Sequence, residues 1–467
     1  MTSRPRAAPE AAARPDNTHT ALGDLHDAGH HGQLGPDNNS RHAYNAPGEW
    51  RQLDELAVAG SIDESDHDPV HKHTSLEETH SQNVSSGRDA RKLPAAGDVG
   101  TRAAQGNPQP PMAMEEGRER ERRTSRLATQ TYTISYLVFF SLLGTLARLG
   151  LTALTQFPGS PVIFGTVWAN FAGSLIMGFL AEDRAIFLHH DKSEPGSASD
   201  EDLLTAKKAH LAVKKTIPLY IGLATGFCGS FTSFSSFIRD IFLAMSDDLE
   251  TPGMPNAGSR SGGDSFMALV AVVITSVTLS LGGLFLGAHS ATALGRFTPS
   301  LPRSAMRLLL DPLCIVLAWG CWLGAVFLSV FPPHENWRGR ATFSLVFAPL
   351  GCLLRFYLSV YLNGRIASFP LGTFAANVAG TAVLGMAWDI AHVPVGGVIG
   401  CQVLQGVEDG FCGCLTTIST WVAELSTLRR RHAYTYGSIS VLVSFALLVV
   451  IMGGLRWTDG FSPLQCG

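Results

Sequence analysis

The sequence has little that would mark an enzyme or a nucleic-acid-binding protein. It contains no phosphate-binding glycine loop, no HExxH metal motif and no nucleophile elbow, and this argues against those enzyme classes. The formal net charge is -4, and no basic face suited to DNA or RNA emerges. The first 30 residues also lack the apolar run of a secretory signal peptide. We therefore expect no enzymatic activity and no nucleic-acid partner.

Cysteine is scarce, with eight residues in 467. All except Cys466 lie in apolar segments, where a buried thiol packs like a small apolar side chain. We interpret the cysteines as packing residues and expect neither disulfides nor zinc ligands.

Apolar periodicity is missing from residues 1–128, which are rich in alanine, proline, glycine, aspartate and histidine. Such a segment buries too little apolar surface to offset the entropy of ordering it. We predict a disordered cytosolic tail, which ends in a basic stretch, GRERERRTSR, before the first apolar run.

Long apolar segments dominate the rest of the chain. A helix of about 20 apolar residues crosses the hydrocarbon core of a bilayer, and nine segments have this character. They are 133–156, 162–181, 216–245, 266–290, 311–331, 342–362, 371–390, 396–426 and 434–456. The predicted fold is an all-α polytopic membrane protein with nine transmembrane helices.

Lysine and arginine are concentrated in the loops that follow the even-numbered spans. The other loops hold few basic residues, and the loop after the third span begins with the acidic stretch SDDLE. By the positive-inside rule, the N-terminus is cytosolic and the C-terminus extracellular.

Three motifs occur twice in the same order. LLGTLARLGL, FGTVWANFAGSLIMGF and GFCGSFTSFSSF match PLGCLLRFYL, LGTFAANVAGTAVLGM and GFCGCLTTISTW. The apolar segment 311–331 has no counterpart and separates the two four-span units. Because four spans return the chain to its starting side, this extra span inverts the second unit. The predicted organisation is a tail (1–128), a first four-helix repeat (129–291), a linker with one helix (292–336), a second, inverted repeat (337–458) and a short C-terminal tail (459–467).

These motifs resemble the fluoride channel family of small dual-topology proteins, Fluc or CrcB, over about residues 133–456. Two inverted units joined by one helix resemble its fused eukaryotic version, the fungal-type fluoride exporters (FEX). The resemblance implies a passive, fluoride-selective channel of the plasma membrane that exports cytosolic fluoride and protects the cell from it. Since both repeats lie in one chain, a monomer is expected to function.

Phe234 and Phe237 lie three residues apart on one helical face, and aromatic rings have electropositive edges. Two such residues also suit a plain apolar core, but the resemblance makes them the phenylalanines that line the fluoride pore. The second copy has Ile418 and Trp421 instead. We therefore expect one conducting pore and one degenerate pore.

Polar residues in the spans are the other pore candidates. Asn170 and Asn377 either bond to a neighbouring helix or, as the resemblance implies, present an amide donor to fluoride. Hydroxyl groups of the third helix of each unit extend this polar track, and those of the fourth helix are weaker candidates. The third-helix residues are Thr232, Ser233, Ser235, Thr416, Thr417 and Ser419, and the fourth-helix residues are Ser276, Ser280, Ser440 and Ser444.

Glycines in GFCGS and GFCGC weaken their helices, which either frees backbone carbonyls or allows close helix packing. The resemblance implies a structural Na⁺ here, held by the carbonyls of Gly229, Thr232, Gly413 and Thr416. Four charged residues are assigned structural roles. Arg148 and Arg355 lie deep in their spans and need partners or water, and the resemblance adds the carboxylates of Asp240 and Glu424.

A proton-coupled transporter of small organic cations is the alternative function, because that class also uses dual topology. It requires a mid-membrane carboxylate, whereas Asp240, Asp389 and Glu424 lie near span ends. A non-transporting scaffold, a third possibility, would not need asparagines at matched mid-membrane positions.

Overall fold

The computed structural model describes Tyr44 and residues 112–187, 213–249, 260–332, 338–393 and 397–466, and these residues contain helices and no strands. The helices are α1 (Met112–Thr155), α2 (Thr166–Glu182), α3 (Pro218–Ser246), α4 (Gly262–Leu294), α5 (Asp311–Val330), α6 (Ser344–Leu362), α7 (Leu371–Ala391), α8 (from Gly397–Gly406 to Ser419–Thr427) and α9 (Arg430–Thr458). The prediction of an all-helical protein is confirmed for this part of the chain.

Seven of the described helices are long and apolar enough to cross a membrane. The two predicted spans outside this set are α2, which has 17 residues, and α8, which is interrupted. Large apolar side chains such as Ile274 on α4, Val316 on α5 and Val450 on α9 are exposed, as expected for surfaces that face lipid. The chain is therefore a multi-pass membrane protein.

Helix α1 begins at Met112 rather than near the predicted boundary at residue 129. Glutamate and arginine, which make up most of the stretch MEEGRERERR, have a high helix propensity. The helix thus extends beyond the apolar segment. The rest of the predicted disordered tail lies outside the described residues, except for Tyr44.

Tyr44 contacts the helical region. Its hydroxyl donates to one carboxylate oxygen of Asp311 at 3.0 Å, and the hydroxyl of Tyr136 donates to the other at 3.1 Å. The guanidinium of Arg307 lies 4.5 Å from the centroid of the Tyr44 ring. Asp311 is fully buried at the start of α5. Tyr44, which belongs to the predicted disordered tail, therefore contacts the linker helix.

Helix packing follows the same scheme in both halves. Helix α2 packs against α4, and α7 packs against α9. The second arm of α3 (Phe234–Ser246) packs against α4 of its own half and also against α7 and α9. The second arm of α8 (Ser419–Thr427) packs against α9 of its own half and also against α2 and α4. Each half therefore contributes one helical arm to the other half.

The expectation that no cysteine forms a disulfide is wrong for one pair. Cys401, near the start of α8, is bonded to Cys466 in the C-terminal segment. Gln402 also donates from its side-chain nitrogen to the Cys466 carbonyl oxygen at 2.9 Å. Sequence reasoning placed Cys401 inside a long apolar span, but the first turns of α8 meet the segment that follows α9. The six other cysteines are free, and five of them are buried.

The connection between α3 and α4 is held by Asp247, the left-handed residue that ends α3. Its carboxylate accepts hydrogen bonds from the backbone and the guanidinium of Arg260. These bonds hold the pKa of Asp247 below its ordinary value. Their stabilising contribution is therefore present above the pKa of an unfolded aspartate, about 3.9, and is lost as the pH falls through the lowered folded-state pKa.

Candidate ion pathway at two helix breaks

Both GFCG motifs stand just before a break in their helix. Thr232 has φ -94° and ψ 152°, and Thr416 has φ -92° and ψ 155°, so both leave the helical conformation in the same way. The second arm of each helix resumes within a few residues. The prediction of broken helices at these glycines agrees with the structure.

The mid-span asparagines bind the backbone at the breaks. The Oδ1 atom of Asn170 accepts from the Ser233 N–H, and that of Asn377 accepts from the Thr417 N–H, each at 2.8 Å. Their amide nitrogens lie 3.5 Å from the Ser233 carbonyl oxygen and 3.2 Å from the Thr417 carbonyl oxygen. These contacts agree with the first alternative given for the two asparagines, a hydrogen bond to a neighbouring helix. Each amide nitrogen has two hydrogens, so a second donor is left for an ion.

A threonine at each helix break accepts hydrogen bonds from the backbone at the other break. The hydroxyl oxygen of Thr232 accepts from the backbone N–H groups of Ile418 and Ser419 at 3.2 and 3.1 Å. In return, the hydroxyl oxygen of Thr416 accepts from the Ser235 N–H at 3.1 Å. Both second arms therefore begin at one crossing, and the positive ends of their peptide dipoles meet there.

Buried hydroxyl groups fill this crossing. Ser235 and Thr416 are 3.0 Å apart through their oxygens, and Thr232 and Thr417 are 3.2 Å apart. The structure brings together all six third-helix hydroxyl residues predicted from the sequence, which are Thr232, Ser233, Ser235, Thr416, Thr417 and Ser419. Thr232 and Thr416, predicted both as hydroxyls of the polar track and as carbonyl ligands of Na⁺, accept backbone hydrogen bonds through their side chains.

Arg148 and Arg355 reach the crossing from α1 and α6. Arg148 donates to the carbonyl oxygens of Ser230 and Gly413, each at 2.8 Å, and to that of Asp409. Arg355 donates to the carbonyl oxygen of Cys414 at 2.8 Å. Both side chains are 2% exposed. The partners that such deeply placed cations require are thus backbone carbonyls of the broken helices.

The two predicted structural carboxylates each accept a hydrogen bond from a threonine. Thr166 donates to Asp240 at 2.5 Å, and Thr373 donates to Glu424 at 2.6 Å. The rest of each environment differs between the halves. Arg239 forms an ion pair with Asp240 at 3.1 Å, whereas the Tyr436 hydroxyl donates to Glu424 at 2.7 Å. The sequence reasoning did not single out these partner residues.

The four aromatic-motif positions lie together and are buried. The Phe234 and Phe237 ring centroids are 5.8 Å apart with the rings tilted by 74°. Phe234 also contacts Trp421 edge to face, with centroids 5.4 Å apart. Ile418 is fully buried beside them in the same apolar cluster. The unequal side chains of the two copies therefore form one shared cluster.

The candidate serines of the fourth helices are buried on α4 and α9. The Ser280 hydroxyl donates to the Ser276 carbonyl, and the Ser440 hydroxyl donates to the Tyr436 carbonyl, each at 2.7 Å. Within the described residues, the Ser444 hydroxyl has no hydrogen-bond partner.

Two carboxylates inside a span were missed. Glu408 and Asp409 lie within the Val407–Cys412 stretch of α8, and Glu408 is buried. The spans therefore contain mid-membrane carboxylates, contrary to the expectation from Asp240, Asp389 and Glu424 alone. Alignment of the repeats would have exposed them, because the first copy has alanine and threonine there.

A multi-pass helical protein with two broken helices that meet at a buried polar crossing belongs to the class of ion channels and transporters. The chain belongs to the family described as "CrcB-like protein, Camphor Resistance (CrcB)", which matches residues 135–288 and 342–455. The family recognised from the motifs is confirmed. The unmatched interval between the two regions contains α5.

Several curated proteins are similar to this chain. "Fluoride export protein 1" of Neurospora crassa is 54% identical and aligns with 91% of this chain and 85% of its own length. The protein of the same name from Candida albicans is 35% identical, over 74% of this chain and 87% of its own length. "Fluoride-specific ion channel FluC" of Pseudomonas aeruginosa is 38% identical, over 24% of this chain and 91% of its own length. No solved structure matches the chain.

Proposed function

We propose that this protein is a passive, fluoride-selective channel that exports cytosolic fluoride and protects the cell from its toxicity. The relatives named as fluoride export proteins align with most of the chain. The structural observation that carries the proposal is the crossing of α3 and α8. Backbone N–H groups, hydroxyls and guanidinium groups converge there beside a buried aromatic cluster.

The proposed mechanism is electrostatic. An anion that leaves water needs fixed donors and dipoles along its path, because the bilayer offers none. The N-terminal ends of both second arms and the guanidinium groups of Arg148 and Arg355 supply positive potential at the crossing. The ring edges of Phe234 and Phe237 supply positive potential where the ion path is apolar. No bond forms or breaks, and a negative-inside potential favours export by about 2.3 kcal/mol per 100 mV.

One conducting pore is proposed on the side of α7 and α9. The second arm of α3 carries Phe234 to these helices, and Trp421 contacts Phe234 from the second arm of α8. Asn377 and the serines of α9 lie on the same helices. The opposite side, with α2 and α4, receives the arm that has Ile418 in place of phenylalanine, and we propose that this second pore is degenerate.

The test of the function is fluoride and chloride efflux from liposomes that contain the purified full-length protein. We expect rapid fluoride efflux and negligible chloride efflux in one preparation, without any imposed proton gradient. Equal efflux of both anions, or no fluoride efflux from correctly inserted protein, would falsify the proposal. An absolute requirement for a proton gradient would favour the transporter alternative.

A structural Na⁺ at the crossing is also proposed, bound by the carbonyls of Gly229, Thr232, Gly413 and Thr416. In an uninterrupted helix, the N–H groups of Ser233 and Thr417 would donate to the carbonyl oxygens of Gly229 and Gly413. Here they donate to the asparagines instead, so the two glycine carbonyl oxygens lose their helical donors. The Gly413 carbonyl accepts from Arg148, but its second lone pair can bind an ion. We expect a higher melting temperature in Na⁺ than in N-methylglucamine. Equal melting temperatures in the two salts would contradict the site.

The proposed topology is two inverted four-helix repeats in the plasma membrane, with the N-terminus inside and the C-terminus outside. The Cys401–Cys466 bond supports this orientation, because disulfides persist in oxidising compartments and both cysteines then lie outside. Accessibility tags should report 182–215 and 290–310 as cytosolic and 246–265 as external. If tags before and after α5 reported parallel halves, the inverted repeat would be wrong.

The N-terminal tail is proposed to be dispensable for transport. Deletion of residues 1–120 should leave the rate of fluoride efflux within about twofold, because the crossing lies entirely in later residues. The deletion removes the Tyr44 hydrogen bond to buried Asp311, so we expect a stability loss of about 1–3 kcal/mol. Tyr44→Phe should reproduce that loss alone. Abolished efflux in an inserted, folded truncation would show that the tail takes part in conduction.

We further propose that the functional unit is a monomer, because both arms of the crossing come from one chain. Molecular mass in detergent, measured by light scattering, tests this directly. A stable dimer that loses activity on dissociation would contradict it.

A further inference from the structure

Trp421 occupies the position at which the first copy of the motif has Phe237. The side chain is 2% exposed, and within the described residues its indole nitrogen has no hydrogen-bond partner. A buried donor without an acceptor is rare in native proteins and commonly marks an ion or water that completes the bond. Trp421 therefore differs from Phe237 in size and also in its N–H group, which is a hydrogen-bond donor.

The six-membered ring of the indole lies close to α9. The Cζ2 atom, which is bonded to the ring carbon that carries the N–H, lies 3.7 Å from where a Cβ on Gly437 would be. One and two turns further along α9 stand the buried side chains of Ser440 and Ser444. The Leu425 side chain fills the space at Gly437, and the buried serines form a polar line further along the same helix.

Phe234 approaches the same indole from the first half of the chain. Its ring meets Trp421 edge to face, with centroids 5.4 Å apart. An anion that passes between the second arm of α8 and α9 would therefore meet an indole N–H on one side and an aromatic ring on the other. Since indole nitrogen only donates hydrogen bonds, its missing partner must be an acceptor.

We infer that the Trp421 indole N–H donates a hydrogen bond to the dehydrated fluoride ion in the conducting pore, where it contributes to selectivity. This inference rests on the proposed function. It revises the expectation that Trp421 marks a degenerate position, because the indole adds an N–H donor where the first copy offers only a ring edge. A small anion gains more from one such donor than a larger anion, so chloride gains less.

The test is Trp421→Phe, which keeps an aromatic ring and removes the N–H. We expect fluoride efflux from liposomes to fall about 10- to 100-fold, the loss of one hydrogen bond to a charged group. The ratio of fluoride to chloride efflux should fall as well, and a purely structural role for the indole would not lower that ratio. Trp322→Phe is the control, because it also removes an indole N–H, one that donates to the Val346 carbonyl oxygen at 3.0 Å from the linker helix α5, which carries none of the crossing residues. It should conduct like the wild type.

A second substitution separates the N–H from the shape of the ring. Benzothienylalanine at position 421, introduced by nonsense suppression, keeps the bicyclic side chain and has sulfur in place of N–H. The same fall in efflux and selectivity with an unchanged melting temperature would support the inference. Wild-type efflux from this variant would overturn it and indicate that the indole binds only a trapped water. The absence of fluoride efflux from liposomes that contain the wild-type protein would instead refute the proposed function itself.

Discussion

Phe234→Ile is expected to lower fluoride efflux about 30- to 1000-fold, because it removes an electropositive ring edge from a dehydrated path. Loss of one such contact costs on the order of 2–4 kcal/mol at the barrier, and each 1.36 kcal/mol is tenfold in rate. Phe234 is fully buried and contacts Trp421, so no water replaces the lost contact. The measurement is fluoride efflux from liposomes at matched protein density.

Ile418→Ala is the control for this prediction, because Ile418 is the counterpart of Phe234 in the second copy and is equally buried. It should retain efflux within about threefold while lowering stability by about 2–4 kcal/mol, the usual cost of a buried isoleucine. Equal loss of efflux in both variants, with both correctly folded, would contradict a single conducting pore.

Asn377→Asp should abolish fluoride efflux, whereas Asn170→Asp should be tolerated. Each substitution keeps the side-chain oxygen that accepts from the backbone at a helix break. Each also turns the amide donor into a carboxylate oxygen, which places negative charge at that position. Only Asn377 lies on α7, beside the proposed pore, so only there does the new charge meet the anion path.

The two asparagine variants control for one another. Because both asparagines bind an N–H of the break at 2.8 Å, the structural damage is matched and a difference in efflux reports position alone. Melting temperatures should fall by similar amounts. Harmless substitution at both positions, or abolished efflux at both, would mean that the pore assignment is wrong.

The repeated motifs were sufficient to predict the family, the helix breaks and the residues that meet at the crossing. An arginine, an asparagine and the GFCG glycines occur in the same order in both repeats, beginning with Arg148 and Asn170 in the first. A single sequence is enough to show this repetition. Which half caps which break was not predictable. The bond from the Ser235 N–H to Thr416 joins residues 181 positions apart, and nothing in local pattern indicates such a pairing.

Other features were hidden for reasons specific to each residue. Cys466 pairs with Cys401 because the chain folds back after α9, and sequence spacing does not indicate that return. Glu408 was overlooked because its span is apolar on average, although the second repeat differs from the first at this position. Tyr44 contacts Asp311 from a segment whose composition predicts no order at all.

Mutual capping of the two broken helices has a consequence for biosynthesis. When α8 emerges from the ribosome, Thr232 is already in the membrane to accept hydrogen bonds from the start of its second arm, whereas the arm that begins at Phe234 must wait for its partner. Its cap, Thr416, is translated 181 residues after Ser235, which takes roughly 9 to 36 s at about 5 to 20 residues per second. A chain that stalls or ends within that interval keeps the local cap Ser233 but lacks the threonine from the second half that accepts from the Ser235 N–H. Premature stop codons in the second half should therefore yield a membrane intermediate for quality-control degradation rather than a half-sized channel.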